Sequence, residues 1–359
     1  MSDPKIVAST WLTRASHVFW PVLGLVAVVW SIRILYAKLQ MEVSSDPLTK
    51  KILDDGGYWS DIKVIAHAIG ERLGQVTYEG YVLASLATLG AYAALAWYDR
   101  IALIHLGKQK GISWLYIAVC SFVTYALGHN IGASVLSGGM VRLRAYTAKG
   151  LLVADVAVLV ALCAFTFAYG TVLLFGLVLL LEPRLLAPLV HLVPMLALPE
   201  SLVRLIGFGL LGLCLLYVIG SWWHFKPVRI GSVDIVYPRL DVVGRQLIAA
   251  PLELLSAAGI VYFVLPETGN PGYFIVLGAF LTSFSVGLLS QVPGGLGVME
   301  AVFLAVITEI PATGVVAALL VWRLLYLLIP LALSTPIILA FEHTQLNRAG
   351  KRRIDQQQT

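Results

Sequence analysis

The hydrophobic positions of this chain fall into long runs rather than short alternating patterns. A helix needs about 20 apolar residues to cross the hydrocarbon core of a bilayer. The runs that meet this requirement are Val18–Tyr36, Tyr81–Trp97, Leu151–Leu181, Leu202–Trp222, Leu247–Leu265 and Val315–Phe341. The pattern predicts an all-α polytopic membrane protein with about six full spans in one transmembrane domain, residues 18–341.

Two further apolar runs are broken in the middle by small and polar residues. Ile112–Lys149 contains the interruptions Gly128–Ser134 and Ser137–Gly139. Tyr273–Glu309 contains Ser290–Gly297, which includes a proline and several glycines. Because proline and glycine disfavour a helix interior, neither run is expected to cross the membrane as one straight helix. We expect two re-entrant helical hairpins, at about residues 112–149 and 273–309.

The basic residues predict the orientation, since short cytoplasmic loops are enriched in Lys and Arg. They cluster in residues 1–17, near Arg100 and Arg142, and in the basic tail 342–359, whereas Pro266–Gly272 has none. We therefore expect both termini on the cytoplasmic side of a bacterial inner (plasma) membrane. Residues 37–77 would then be extracytoplasmic, although this stretch also holds basic residues.

An amphipathic helix is predicted within that outer stretch, over Tyr58–Leu73. Its apolar residues, including Ile62, Ile65 and Ile69, recur at helical spacing. Such a helix could form a lid over an outward opening or simply pack against the ends of the spans. We favour packing.

The predicted elements repeat with opposite orientation. Each half reads as two spans, a hairpin and a third span, with the first hairpin entering from inside and the second from outside. Inverted repeats of this kind are typical of secondary transporters, whose substrate sites lie at broken helices near the midplane. The sequence thus predicts an inverted-repeat, transporter-like architecture.

The composition narrows the functional class. Hydrophobic residues make up 59% of the chain and charged residues 13%, against roughly 45–50% and about 25% in soluble domains. This composition excludes a soluble enzyme and a nucleic-acid-binding domain. The net charge of +5 belongs mainly to the predicted cytoplasmic loops and tail, where the basic residues cluster. The three cysteines lie within apolar runs, so we expect no disulfide framework, metal site or cofactor.

Arg142 and Arg144 follow the small residues of the first hairpin. A guanidinium group matches phosphate geometry, and glycine permits close approach of a lipid headgroup. Positions two apart on a helix point about 200° away from each other. Either one arginine binds a lipid phosphate while the other reaches water, or both are ordinary anchors on the inner side.

The second hairpin contains Gly294, Gly295 and Gly297 at a turn, followed by Glu300 in the first turn of a half-helix. The helix N-terminus could bind an anion, but Glu300 already satisfies that dipole. Glu300 could instead take a proton, face a cationic headgroup or pair with Arg323. Arg323 lies deep in its span and must have a partner, which could be Glu300, Glu253 or a substrate phosphate.

Other polar residues are weaker candidates. Asp155 and Glu253 are placed near the inner ends of their spans and are expected to be structural, although Glu253 could be a second proton site. Glu309 is expected to be solvated. Asn130 and His129, at the first hairpin, are candidate polar contacts for a substrate.

The hairpin residues resemble the lysylphosphatidylglycerol synthase transmembrane-region family, the flippase half of the multiple-peptide-resistance factors, which also occurs as stand-alone relatives. The matching elements are Gly138–Tyr146, Pro293–Glu300, and Arg323 with Tyr326. The resemblance implies a lipid flippase. Its characteristic positions fall on Arg142, Arg144, Gly294, Gly295, Gly297, Glu300 and Arg323. Ser137 and Met140 stand where many relatives have a proline and an acid.

We therefore expect a lipid flippase-like transporter that moves an anionic or aminoacylated phospholipid between leaflets. The chain contains no phosphate loop or hydrolase motif and ends at Thr359 without an aminoacyl-transfer domain, so we do not expect an enzyme. The expected partners are membrane phospholipids, with a lipid-modifying enzyme or a second copy of the chain also compatible, and no nucleic acid. The alternatives are a proton-coupled carrier of a polyprenyl or small anionic substrate, and a non-catalytic subunit that presents lipid to an enzyme.

Overall fold

The computed structural model describes residues 32–44, 47–131, 134–191, 194–223, 228–230, 233–235, 237–290, 292–341 and 343. These residues are almost entirely helical. The helices are α1 (residues 32–43), α2 (Pro47–Gln75), α3 (Tyr78–His105), α4 (Trp114–Ile131), α5 (Ser134–Thr147), α6 (Val153–Leu181), α7 (Glu200–Trp222), α8 (Leu240–Tyr262), α9 (Tyr273–Leu289), α10 (Val298–Val306) and α11 (Ala312–Phe341). Two short antiparallel strands, β1 (Val228–Ile230) and β2 (Val233–Ile235), lie between α7 and α8. The expected all-α class is therefore correct apart from this small hairpin.

In the described part of the chain, the helices α3, α6, α7 and α11 are long and apolar enough to cross a membrane. On α7 the side chains of Leu205, Phe208 and Leu213 are each at least 60% exposed. A continuous apolar face without protein cover is what a lipid-facing helix requires. The predicted run Leu247–Leu265 forms α8, which is not among these four. The predicted span Val18–Tyr36 lies mostly outside the described residues, as do the N-terminus and nearly all of the tail.

Both interrupted runs form pairs of helices. In the first, α4 ends at Ile131, α5 begins at Ser134, and the two helices pack against each other. The small residues Ser137–Gly139, which also interrupt the apolar run, lie inside α5. Glycine in a helix interior costs only about 1 kcal/mol relative to alanine, so these glycines do not prevent a regular helix.

In the second run the break lies where the sequence predicts it. Helix α9 ends at Leu289, a single 3₁₀ turn covers Pro293–Gly295, and α10 begins at Val298. Gly294, Gly295 and Gly297 have φ angles of 58°, 60° and 77°. L-residues with side chains rarely adopt this region, so these glycines allow the chain to turn tightly between two packed helices.

The predicted outer amphipathic helix is part of α2, which begins earlier, at Pro47. Its buried Ile65 joins the main hydrophobic core, and Arg72 Nε donates to Thr313 Oγ1 at 3.3 Å. Glu42 Oε2 accepts the Thr313 backbone N–H at 3.0 Å. Residues of α1 and α2 thus pack against the start of α11, as favoured over a lid.

Helices α3 and α8 pack together along most of their length. These two helices precede the two hairpins, so they hold equivalent places in the order α3, α4–α5, α6 and α8, α9–α10, α11. Close contacts between small residues add to this arrangement. A Cβ atom at Gly170 of α6 would lie 2.6 Å from the Ala250 Cβ of α8. Such close approach is typical of helices that pack within a membrane.

Candidate functional site

A partly open cavity of about 290 Å³ lies between the helix pairs α4–α5 and α9–α10. Its walls combine aromatic and aliphatic side chains with backbone from the second break, including Gly294 and Gly295. The polar side chains on its surface include those of Thr124, His129, Arg142, Cys163 and Glu253. A mostly apolar cavity with a few convergent polar groups is the usual form of a ligand site.

Arg142 of α5 lines this cavity, and its guanidinium pairs with the carboxylate of Asp99 on α3. Its Nη2 lies 2.6 Å from Asp99 Oδ1, and its Nε donates to the same oxygen at 3.1 Å. Tyr146, one helical turn away on the same face of α5, donates to Asp99 Oδ2 at 2.8 Å. The guanidinium also lies over the ring of Tyr125, 4.8 Å from its centroid. These contacts fix the guanidinium in one orientation.

Arg142 and Arg144 face different surroundings, as their spacing predicts. Arg142 is 5% exposed, whereas Arg144 is exposed and borders a separate apolar groove. The groove has a volume of about 350 Å³ and lies between α4, α5 and the C-terminal end of α11. Only Arg142 therefore belongs to the central cavity.

Arg323 pairs with Glu300, one of its predicted partners. The Arg323 Nε donates to Glu300 Oε1 at 2.7 Å, and its Nη1 donates to the Gly294 carbonyl at 2.7 Å. The other carboxylate oxygen, Glu300 Oε2, accepts the Gly297 N–H at 2.8 Å. Glu300 thus caps the start of α10, as its position predicts, while Arg323 holds the turn. Because both oxygens of Glu300 are occupied, a cationic headgroup could reach it only if this pair opened.

The glycines and Arg323 have different relations to the cavity. Gly294 and Gly295 form part of its wall, whereas Arg323, Glu300 and Gly297 lie behind the turn. In this arrangement Arg323 and Glu300 position the wall of the cavity. Binding of a substrate phosphate by Arg323 stays a prediction, and it too would need the pair to open.

Asn130 is not on the cavity wall. Its Nδ2 donates to the Ala126 carbonyl at 2.7 Å and to the Leu327 carbonyl at 3.1 Å. The acceptor at Leu327 lies in a π-helical turn of α11, Arg323–Leu328. In a π-helical turn the backbone hydrogen bonds join residues five apart, instead of four apart as in an α-helix. Asn130 therefore links the end of α4 to α11, and its prediction as a substrate contact finds no support in this geometry.

Glu253 and Asp99 are where the structure departs most from the sequence-based expectations. Glu253 was expected near a span end, but α8 begins at Leu240, so this residue lies in the middle of the helix and is 1% exposed. Asp99 was missed because the predicted span stopped at Trp97. Helix α3 continues to His105. The apolar residues Ile101, Ala102 and Leu103 after Asp99, which are buried in the structure, indicated that the helix extends past Trp97.

The remaining charged candidates behave as expected. Asp155 Oδ2 accepts the Leu152 N–H at 3.1 Å and caps α6, with Lys108 3.7 Å away. Glu309 is exposed. Within the described residues, no cluster of His, Cys, Asp and Glu could hold a metal ion.

Two known proteins are similar to this chain over most of its length, although no family model matches it. The uncharacterized protein slr0712 of Synechocystis sp. is 29% identical over 296 residues, which cover 80% of this chain and 88% of that protein. The inner membrane protein YbhN of Escherichia coli is 28% identical over 256 residues, covering 70% and 77%. Together with the apolar helices, this similarity supports a multi-pass helical membrane protein with bacterial relatives.

Proposed function

We propose that this chain is a lipid flippase-like transporter of a bacterial inner membrane, with both termini in the cytoplasm. The observation that supports this most directly is the central cavity, which is bounded by two broken helices and lined by the buried charged residues Arg142 and Glu253. Ionisable groups at membrane depth are expensive and typically mark transport pathways. The proposal takes its finer assignment from the resemblance to the lysylphosphatidylglycerol synthase transmembrane region.

In this proposal the two helix pairs are re-entrant hairpins and the two halves are related by inversion. The order of helices and the packing of α3 on α8 are compatible with such a repeat. The turns would then meet near the midplane of the bilayer, where inverted-repeat transporters bind their substrates. A phospholipid headgroup would occupy the cavity, with its phosphate near Arg142.

The lipid would approach from the inner leaflet along the groove beside Arg144. Val123, Leu127 and Phe341 give this groove an apolar surface that suits an acyl chain, and Arg144 provides a positive charge for the phosphate. Arg142 and Arg144 would therefore act at different stages, one in the cavity and one at the access groove.

Filling the cavity tests the proposal. Ala161 and Ala164 lie one turn apart on α6 and are both exposed, but only Ala164 lines the cavity. In liposomes containing only the purified protein and a fluorescent phospholipid, Ala164→Phe should abolish exchange between leaflets while Ala161→Phe retains it. Equal exchange by the two variants would contradict transport through the cavity.

The same assay separates the alternative functions. Absence of exchange unless a partner enzyme is added would favour a subunit that presents lipid. Exchange of a polyprenyl phosphate without exchange of phospholipids would favour a proton-coupled carrier of a polyprenyl or small anionic substrate.

A further inference from the structure

Glu253 is held in an unusual environment for a carboxylate. It lies in the middle of α8 and is 1% exposed. One oxygen, Oε1, accepts the Tyr326 hydroxyl at 2.8 Å. The other, Oε2, is buried and has no hydrogen-bond partner among the described residues, although Glu253 forms part of the cavity wall.

The groups that face Glu253 from neighbouring helices are mostly neutral. Tyr92 and Tyr98 of α3 and Tyr326 of α11 surround the carboxyl group. His129 of α4 stacks on the Tyr326 ring, with 5.4 Å between centroids. Cys163 of α6 and Arg142 of α5 also line the cavity. The Cys163 thiol donates to Asp99 Oδ1 at 3.6 Å, and Asp99 neutralises the Arg142 guanidinium. Among the described residues, no Lys or Arg forms an ion pair with Glu253.

An uncompensated carboxylate in such a place is costly, by several kcal/mol after relaxation. A proton removes the cost without any further ligand. A metal ion would need several oxygen or nitrogen ligands, and no such cluster occurs in the described residues. Two more buried atoms without partners, His129 Nδ1 and Thr124 Oγ1, belong to residues of the same cavity wall. Polar atoms in a cavity of this size can hold the ordered water through which a proton would arrive.

We propose that Glu253 is a proton-binding site that couples lipid movement to proton movement across the membrane. Oε2 takes a proton from cavity water and the carboxylate becomes a neutral carboxyl group, while Tyr326 continues to donate to Oε1. Release returns the proton to cavity water, so no other reactant is needed. The binding of the proton stands on the cavity alone, whereas its coupling to lipid rests on the proposed function.

Proton binding can be measured without transport. In purified protein, infrared difference spectra recorded on lowering the pH should show the carbonyl stretch of a newly protonated carboxyl group, and Glu253→Gln should remove that band. The glutamine keeps the size of the side chain and an oxygen that can accept from Tyr326. Glu309→Gln, which changes an exposed carboxylate outside the cavity, should retain the band. A band unchanged by Glu253→Gln would overturn the proposal.

Coupling is measured in liposomes. With the parent protein, an imposed pH gradient should change the rate of phospholipid exchange, and Glu253→Gln should lose that response while Glu309→Gln keeps it. If the parent protein shows the Glu253 band but exchanges no lipid, the proposed function fails and the proton site stands. If exchange occurs but ignores both pH and Glu253, the coupling is wrong. A preference for lipids with an amine headgroup that is lost in Glu253→Gln, without any effect of pH, would instead assign Glu253 to the headgroup.

Discussion

At the scale of single residues, Arg142 and Arg323 are the two buried arginines in the described part of the chain, and each is paired with a carboxylate. Pairing makes burial tolerable, because a guanidinium without its partner retains its charge and loses its compensation. The two pairs differ in what else they hold. Asp99–Arg142 fixes a guanidinium at the cavity, whereas Glu300–Arg323 fixes the turn that forms part of the cavity wall.

Removing Asp99 should therefore destabilise the protein strongly. We expect Asp99→Asn to lower the free energy of unfolding by about 3–5 kcal/mol, because Arg142 stays buried without a charged partner. Replacing both residues, as Asp99→Leu with Arg142→Met, should recover most of the stability but not the exchange of lipid. Unfolding in detergent, followed by tryptophan fluorescence, measures the stability of both variants, and the liposome assay measures their exchange of lipid. An unchanged stability of Asp99→Asn would show that the pair is not structural.

The turn of the second hairpin gives a separate prediction. Gly294→Ala should lower the free energy of unfolding by about 1–2 kcal/mol, because its φ of 58° places a side chain in the left-handed region. Gly139→Ala is the matched control, since a Cβ atom there meets nothing within 4 Å inside α5. We expect that variant to gain about 0.5–1 kcal/mol. If the two variants unfold alike, the turn does not depend on glycine.

Residue roles that depend on local structure could be predicted from the sequence, whereas roles that depend on packing between helices could not. Glu300 follows a glycine turn, so its capping role could be proposed from its position, and Arg323 could be proposed as one candidate partner because it lies deep in its span. Asp99 acquires its role only because the side chains of Arg142 and Tyr146 reach it from α5, and Glu253 only because α8 starts earlier than its apolar run. No local pattern contains that information.

At the scale of elements, the π-helical turn of α11 provides backbone carbonyls that hold α3 and α4 to the last helix. Pro330 lacks the N–H that would bond the Tyr326 carbonyl in a regular helix, and Tyr92 donates to that carbonyl at 3.0 Å instead. Asn130 satisfies the next carbonyl, that of Leu327. The irregular turn is thus fixed by side chains from α3 and α4. The proline was visible in the sequence, but its two partners come from distant parts of the chain.

Packing between helices gives a prediction at this scale. Gly170→Ala should lower the free energy of unfolding by about 1–3 kcal/mol, since its Cβ atom would lie 3.1 Å from the backbone carbon of Ala250 and force α6 and α8 apart. Gly212→Ala in α7, where a Cβ atom meets nothing within 4 Å, should not be destabilised. Comparing the two unfolding curves in the same detergent tests the contact, and equal stabilities would exclude it.

At the scale of the whole molecule, the order of long helices and helix pairs could be read from the apolar runs. Their boundaries could not, because helices such as α3 and α8 continue beyond the apolar segment where neighbouring helices cover their polar residues. Orientation depends on the basic residues of the loops and is tested by labelling.

We expect a cysteine at Thr268, between α8 and α9, to react only from the extracytoplasmic side. This exposed position suits the test better than Gly269, where φ is 79° and a Cβ atom would lie 2.8 Å from the Glu309 carbonyl oxygen. The three native cysteines are buried, so the parent chain should give little background. A membrane-impermeant maleimide should label Thr268→Cys in intact cells. Labelling only in inside-out vesicles would reverse the orientation and the proposed direction of both hairpins.

The central claim is that the chain by itself moves phospholipid between leaflets. Its most direct test uses liposomes that contain the purified protein and a headgroup-labelled fluorescent phospholipid, with dithionite added outside. We predict that dithionite quenches the label of both leaflets in liposomes with the parent protein and only the outer leaflet in liposomes with Ala164→Phe. Quenching restricted to the outer leaflet in liposomes shown to contain folded parent protein would contradict the account.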